Sequence, residues 1–272
     1  MSMTHINQYL NQVRDGDAQT TYSITPDWGQ GRATFGGLIG GMMYLAMRRE
    51  MQDERPLYSF MLSFVAPVTT DEPFTIKVEI LRKGRSAIQV EAKIIQNEQV
   101  VSAALACFGT ARESNVNVPT LAAPEATDPA TLPPLPYIPN IVPAFTQHID
   151  FRWVYGDIPF CGGSATEMGG WMKLRDLSET DEFTTAHLIT LIDSWPPAVI
   201  PLLKKPAPAS SVTWNIAFMN PMPKLSADWY LYRAHIDQAA QGYGQTHAHI
   251  WDNNGTLIAI SSQTIAVFDS VE

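Results

Sequence analysis

The feature that most constrains the fold is a pattern of one helix followed by several alternating strands, which occurs twice along the 272-residue chain. The spacing of the two copies agrees. Gln96 begins a turn 29 residues after Pro67, and Asp252 begins one 31 residues after Pro221. Such a repeat indicates two copies of one structural unit. Alternation of apolar and polar residues predicts strands at 74–80, 88–94, 100–108, 212–218, 229–237, 245–251 and 257–268.

An apolar stretch with helical spacing precedes each set of strands, at 35–51 and at 185–203. A shorter helix is predicted at 5–16. Alternation is typical of an antiparallel sheet with one face in solvent, and one helix can cover the other face. The sequence therefore predicts an α+β fold with two tandem units, each an antiparallel sheet against a long helix.

Eight of the 20 prolines fall between Pro119 and Pro143, where the chain has neither helical nor strand periodicity. A proline-rich stretch of this kind is typical of an extended, semi-rigid linker. We therefore predict an N-terminal unit at 1–115, a linker at 116–145 and a C-terminal unit at 146–272.

Composition excludes several classes of function. The net charge of −9 disfavours binding to nucleic acid or to an anionic membrane, and no apolar run is long enough to span a bilayer. Two distant cysteines give no disulfide framework, which indicates a cytoplasmic protein. His247 and His249 share a strand face without an acidic or cysteine cluster, so no metal site and no cofactor are expected. Nucleophile-elbow, P-loop, dinucleotide and zinc-protease motifs do not occur.

Asp193 is the only charged residue of the apolar run 188–203. A buried carboxylate needs hydrogen-bond partners or a raised pKa, so Asp193 is a candidate general base. The alternative is that Asp193 or Ser194 caps a helix restarting at the following prolines. Gln263 in the last strand and Ser211, on one face with Thr213 and Asn215, are further polar candidates or ordinary sheet residues.

Two other groups are candidates for binding a substrate. Gly36 and Gly37 open the first long helix, where free N–H groups can stabilise an oxyanion; tight packing of the helix on the sheet is the alternative. Arg82, Lys83 and Arg85 form the densest basic cluster, which fits either phosphate binding or a solvated turn.

These segments resemble the acyl-CoA thioesterase II (TesB-like) family of double-hotdog thioesterases, over almost the whole chain. The similarity rests on RATFGGLIGGMMYLAM, SFMLSFVAPV, VEILRKGRSAIQVEAKIIQN, GGWMKLRD, LITLIDSWPPAV, SSVTWNIAFMNP and DNNGTLIAISSQTIAVF. The resemblance implies two fused hotdog units, each a sheet wrapped around a long helix, and hydrolysis of acyl-CoA in fatty-acid metabolism. It implies acyl-CoA as the partner, and hotdog units usually associate through sheet edges, so we expect a homodimer.

The resemblance also implies a catalytic set in which Asp193, Ser211 and Gln263 activate water, with no covalent intermediate. The first-half strand that often reads S-F-H-S departs from the family pattern, with Met61 at the histidine position. We expect an apolar acyl groove lined by Met42, Met43, Phe60 or Trp195.

The polar set occurs only in the second half and the FGG helix start only in the first. One composite site per chain, at the junction of the units, is therefore expected. Two other functions remain open on the same fold, a non-catalytic acyl-CoA-binding protein and an acyl-CoA hydratase or dehydratase.

Overall fold

The structure, a computed structural model, describes residues 3–269. In this part of the chain, eleven strands form one antiparallel sheet, two more form a small ladder, and three α-helices accompany them. The elements are α1 (Ile6–Asp15), β1 (Thr21–Tyr22), β2 (Gly29–Gln30), β3 (Ala33–Thr34), α2 (Gly36–Met51), β4 (Leu57–Phe64), β5 (Phe74–Lys83), β6 (Ala87–Gln96), β7 (Gln99–Gly109), β8 (Ile149–Tyr155), β9 (Glu167–Leu174), α3 (Thr185–Ile192), β10 (Ala209–Phe218), β11 (Tyr230–Ala240), β12 (Tyr243–Asp252) and β13 (Leu257–Val267). Short 3₁₀ turns lie at Pro26–Trp28, Pro129–Thr131, Ala144–His148 and Ile200–Leu202.

The large sheet is continuous across the two halves of the chain. Its strand order is β1-β5-β6-β7-β4-β10-β13-β12-β11-β9-β8, and β4 pairs with β10 at the centre. Outward from that junction, β7, β6 and β5 on one side match β13, β12 and β11 on the other. All seven predicted strands are present, and edge-to-edge pairing of the halves takes place within one chain.

Of the two helices on the inner face, the first has the predicted length and the second does not. In the first half α2 has 16 residues, as its periodicity indicates. In the second half α3 has only 8 residues and ends at Ile192, so the expected long helix over 185–203 is wrong. Pro196 and Pro197 explain the difference, because proline has no N–H to continue the helix and disfavours helical backbone before it. No helix in the described range is long and apolar enough to cross a bilayer.

Helices α2 and α3 touch each other through glycines. A Cβ atom placed on Gly37 would lie 2.4 Å from the carbonyl oxygen of Thr190, and one on Gly41 would lie 2.7 Å from that of Ala186. Glycine is thus required at both positions for the helices to approach so closely. The G-x-x-x-G spacing in the sequence positions the start of α2 next to the end of α3.

The proline-rich segment lies across the outer face of the second-half sheet. The indole N–H of Trp251 donates to the carbonyl of Leu121 at 3.0 Å, and that of Trp171 donates to the carbonyl of Thr127 at 2.8 Å. These bonds hold the segment against strands β9 and β12.

We expect Gly41→Ala to lower the free energy of unfolding by roughly 1–3 kcal/mol, the usual cost of overpacking. The new methyl group would meet Ala186 and Thr190 and force the two helices apart. Chemical denaturation measures the change, and Glu50→Ala on the exposed side of α2 is the control. An unchanged midpoint for Gly41→Ala would show that the helices do not depend on this contact.

Candidate active site

Three polar side chains of the second half form one hydrogen-bonded series. The hydroxyl of Ser211 donates to Oε1 of Gln263 at 2.9 Å. The amide Nε2 of Gln263 donates to Oδ1 of Asp193, also at 2.9 Å. The first bond fixes the orientation of the amide, so that its NH₂ group points at the carboxylate. The structure thus brings together the three residues that the sequence analysis selected from separate segments.

A β-bulge in β10 determines where Ser211 points. The pairing of β10 with β13 shifts register between Ser211 and Thr213, which leaves Val212 as the extra residue. The bulge reverses the alternation, so Ser211 lies opposite buried Ile265 on the inner face. The expectation that Ser211 shares a face with Thr213 and Asn215 is therefore wrong.

The side chain of Asp193 lies at the junction of the two helices. Asp193 directly follows the last residue of α3, at the C-cap position, and it accepts a hydrogen bond from the backbone N–H of Gly37 in the first turn of α2. No α-helix restarts after it in the described structure, since only the 3₁₀ turn Ile200–Leu202 follows. The alternative in which Asp193 caps such a helix is thereby excluded.

Burial raises the pKa of Asp193 to about 7, from an ordinary value of 3.8. Hydrogen bonds from Gln263 and Gly37 favour the charged form and act against the shift. The loss of water around the carboxyl group outweighs both bonds. A carboxylate with a pKa near neutrality can take up a proton and release it again, as a general base must.

The absence of a side chain at Gly36 leaves space for the carboxylate of Asp193. A Cβ atom at this position would lie 2.8 Å from Oδ2 of Asp193 and 2.8 Å from the ring of Phe64. Gly36 is also the first residue of α2, so its N–H has no acceptor within the helix. The N–H of Gly37, by contrast, binds Asp193 rather than remaining free for an oxyanion, which differs from its expected role.

A cleft of about 610 Å³ opens onto this group. Its walls include Gly36, Asp193, Ser211 and Gln263, together with apolar side chains from both halves. Trp195 lines the cleft as predicted. The other three residues proposed for the acyl groove, which are Met42, Met43 and Phe60, are fully buried in the core and do not line it.

The basic cluster of Arg82, Lys83 and Arg85 does not lie at this cleft. The ammonium group of Lys83 is 3.6 Å from Asp53 and 3.4 Å from the carbonyl oxygen of Met51, the last residue of α2. A helix of 16 residues is about 24 Å long. The cluster therefore lies at the opposite end of α2 from Gly36.

Arg32 is the basic residue that the sequence analysis missed. It is the one basic side chain among the residues described as lining the cleft, and it is exposed to solvent. Arg32 is isolated in the sequence, so a search for clusters of basic residues does not find it. Its position four residues before Gly36, at the start of α2, could have indicated that it lies near the site. Met61, which replaces the family's histidine, is 49% exposed and is not among the residues lining the cleft.

Within residues 3–269, no group of three or more His, Cys, Asp or Glu side chains is arranged to hold a metal ion. His247 instead hydrogen-bonds to Asp237 at 2.9 Å, on the other face of the sheet from Ile250 and the core.

Comparisons with known proteins agree with this architecture. Acyl-CoA thioesterase 2 from Haemophilus influenzae is 25% identical over 251 residues, which cover 85% of this chain and 86% of the relative. A hotdog-fold protein from Alicyclobacillus acidocaldarius superposes with a TM-score of 0.84 at 22% identity, covering 99% of this chain and 100% of the other. An acyl-CoA thioesterase II from Mycobacterium marinum gives 0.75 at 20% identity, covering 96% and 98%.

The sequence patterns of a known family match both halves of the chain. The acyl-CoA thioesterase N-terminal domain matches residues 24–109, and the acyl-CoA thioesterase C-terminal domain matches residues 123–267. With a large antiparallel sheet of the hotdog type and few helices, this chain belongs to the acyl-CoA thioesterase family.

Proposed function

We propose that this protein hydrolyses an acyl-CoA thioester to the free acid and CoA, with Asp193 as the general base. The observation that carries the proposal is the series Ser211–Gln263–Asp193, with the pKa of Asp193 raised to about 7 at the wall of a cleft. Membership of the acyl-CoA thioesterase family supports a thioester substrate.

The reaction follows from the position of the carboxylate. Oδ1 of Asp193 is bonded to Gln263, and Oδ2 lies beside Gly36. Water attacks the thioester carbonyl as Oδ2 takes its proton, and the N–H of Gly36 stabilises the oxyanion. The tetrahedral intermediate then expels the CoA sulfur, which takes the proton from Asp193 and leaves as the thiol. Ser211 and Gln263 hold the carboxylate and the water in place.

We also propose a double-hotdog arrangement with units at 1–115 and 146–272. The mirrored strand order on either side of the β4–β10 junction supports it. So does the position of one helix from each half on the inner face, although α3 is half as long as α2.

For the CoA moiety, Arg32 is a better placed ligand than the basic cluster at the far end of α2. It lines the cleft and is exposed to solvent. Lys204 and Lys205 come just before residues 207–211, which also line the cleft. Positive charge near the cleft suits the phosphates of CoA while the thioester reaches Asp193.

A hydratase or dehydratase on this fold would use a histidine beside the carboxylate. None of the residues described as lining the cleft is a histidine. An assay with saturated and enoyl-CoA substrates separates the functions, because hydrolysis releases a thiol and hydration removes the enoyl absorbance. Binding without either signal would indicate a non-catalytic protein.

We expect Asp193→Asn to lower kcat by about 10²–10⁴, the usual effect of losing a general base. Thiol release from acyl-CoA measures it. Ser211→Ala and Gln263→Ala should lower kcat more than they raise KM, because their contacts act on the attacking water. Wild-type turnover by Asp193→Asn would contradict the assignment of the base.

The rate should depend on pH through Asp193. Only the ionised carboxylate accepts a proton, so kcat/KM should fall about tenfold per unit below about pH 7. A plateau that extends down to pH 5 would contradict the raised pKa.

The pH dependence of folding stability tests the raised pKa of Asp193 independently of activity. The pKa of Asp193 is higher in the folded chain, so the folded state binds the proton more tightly. The resulting stabilisation of the folded state is fully present below about pH 4 and is lost as pH rises from about 4 to about 7. The stability of Asp193→Asn relative to wild type should therefore rise over that range.

We expect Arg32→Gln to raise KM for acyl-CoA roughly two- to fivefold, as for an exposed ion pair, with kcat nearly unchanged. Arg82→Gln removes the same charge at the far end of α2 and is the matched control. Added salt should weaken the difference between Arg32→Gln and wild type. A larger KM effect at Arg82 would return the phosphate site to the basic cluster.

A further inference from the structure

The outer face of the large sheet carries an uncharged patch at its centre. Four strands lie there in the order β7-β4-β10-β13, and their pairing places Leu105, Met61, Asn215 and Ser262 in one row across the sheet. All four residues are exposed, with Met61 at 49% and Leu105 at 41%. The rows two residues further along in either direction contain serine, threonine, alanine, isoleucine and cysteine. This central patch therefore consists of three rows of uncharged residues.

Charged residues follow the central patch on both sides. The middle row continues in the first half to Glu91 on β6 and Glu79 on β5. In the second half it continues to His247 on β12 and His235 on β11. An uncharged centre with a polar and charged rim is typical of protein–protein interfaces.

The outer edges of the sheet are less suited to pairing with another chain. At one edge, the backbone N–H of Leu135 in the proline-rich segment donates to the carbonyl of Phe151 in β8 at 3.1 Å. At the other edge, β1 pairs with only two residues of β5. The rest of β5 carries several charged side chains and has a β-bulge between Ile80 and Arg82. Charges and bulges of this kind oppose edge-to-edge association.

We propose that a second copy of this chain packs on the outer face, with a two-fold axis that runs along the strands at the β4–β10 junction. In such a dimer, each half of the patch contacts the other half of the partner's patch. Glu91 and His247 both lie on the third strand from the axis, and Glu79 and His235 both lie on the fourth. The carboxylates of one copy therefore face the imidazoles of the other.

The size of the face also fits a stable dimer. Strands lie about 4.8 Å apart, so the eight strands from β5 to β11 span about 38 Å, and three rows of side chains span about 20 Å along them. The product is about 770 Å² per copy, close to the roughly 800 Å² per partner of a standard interface.

Met61→Glu tests the proposal, because it places a carboxylate of each copy at the centre of the contact. In sedimentation equilibrium we expect a dimer for the wild type and a dissociation constant raised about 100-fold or more for Met61→Glu, since an unpaired charge opposes burial. Ile158→Glu makes the same kind of change at an exposed apolar residue of the loop after β8 and is the matched control. It should leave the dimer unchanged.

A second variant keeps the test from depending on the folding of one protein. Asn215→Lys introduces the opposite charge in the same row and should also weaken the dimer, and circular dichroism shows whether each variant is folded. A wild-type protein that is monomeric at every concentration measured would overturn the proposal. So would a dimer that both folded variants leave intact, because the copies would then meet through a sheet edge or another surface.

Reversal of charge tests the direction of the two-fold axis. Glu79→Arg and His235→Glu should each weaken the dimer several-fold, whereas the double variant should recover much of the wild-type affinity, because the new charges face each other between copies. Glu91 and His247 are less suitable, since they already bind a lysine at 2.6 Å and an aspartate at 2.9 Å in their own chain. A double variant that dimerises no better than the single variants would overturn the proposed arrangement.

Discussion

The close contact between α2 and α3 is the constraint on which the rest of the site depends. Gly37 and Gly41 have no side chain to keep the helices apart, and their backbones approach the carbonyl oxygens of Thr190 and Ala186. The contact joins the two halves of the chain on the inner face of the sheet. It also brings the first N–H groups of α2 next to the C-terminal end of α3, where Asp193 is the capping residue.

That position sets the electrostatics of the carboxyl group. The end of α3 carries partial negative charge, which disfavours a carboxylate, whereas the start of α2 carries partial positive charge, which favours one. The N–H of Gly37 and the amide of Gln263 both donate to Asp193. Burial still dominates, since the pKa is raised to about 7 despite these bonds. The carboxyl group is thus held in one orientation without being locked in the charged form.

Much of the sheet could be predicted because alternation of apolar and polar residues follows directly from one solvated face. Asp193 could be selected because it is a single charge in an apolar run. The bulge at Val212 could not be predicted, since the local pattern of β10 is compatible with regular alternation. The end of α3 was missed because apolar residues continue to Leu203, although Pro196 already signalled the stop.

The proposed CoA ligand Arg32 illustrates a different limit of prediction from sequence. A cluster of basic residues such as Arg82 and Lys83 is easily noticed in an acidic chain. The closeness of these residues in sequence does not indicate at which end of α2 they lie in the fold. Arg32 has no basic neighbours in the sequence and so does not stand out, yet the fold places it at the cleft.

We propose that the two halves of the chain build one site, with Asp193 from the second half and the start of α2 from the first. Calorimetric titration of full-length Asp193→Asn with a slowly hydrolysed acyl-CoA tests it most directly, because turnover is suppressed while the cleft remains. We expect one molecule of acyl-CoA to bind per chain. Two equivalent molecules bound per chain would contradict it.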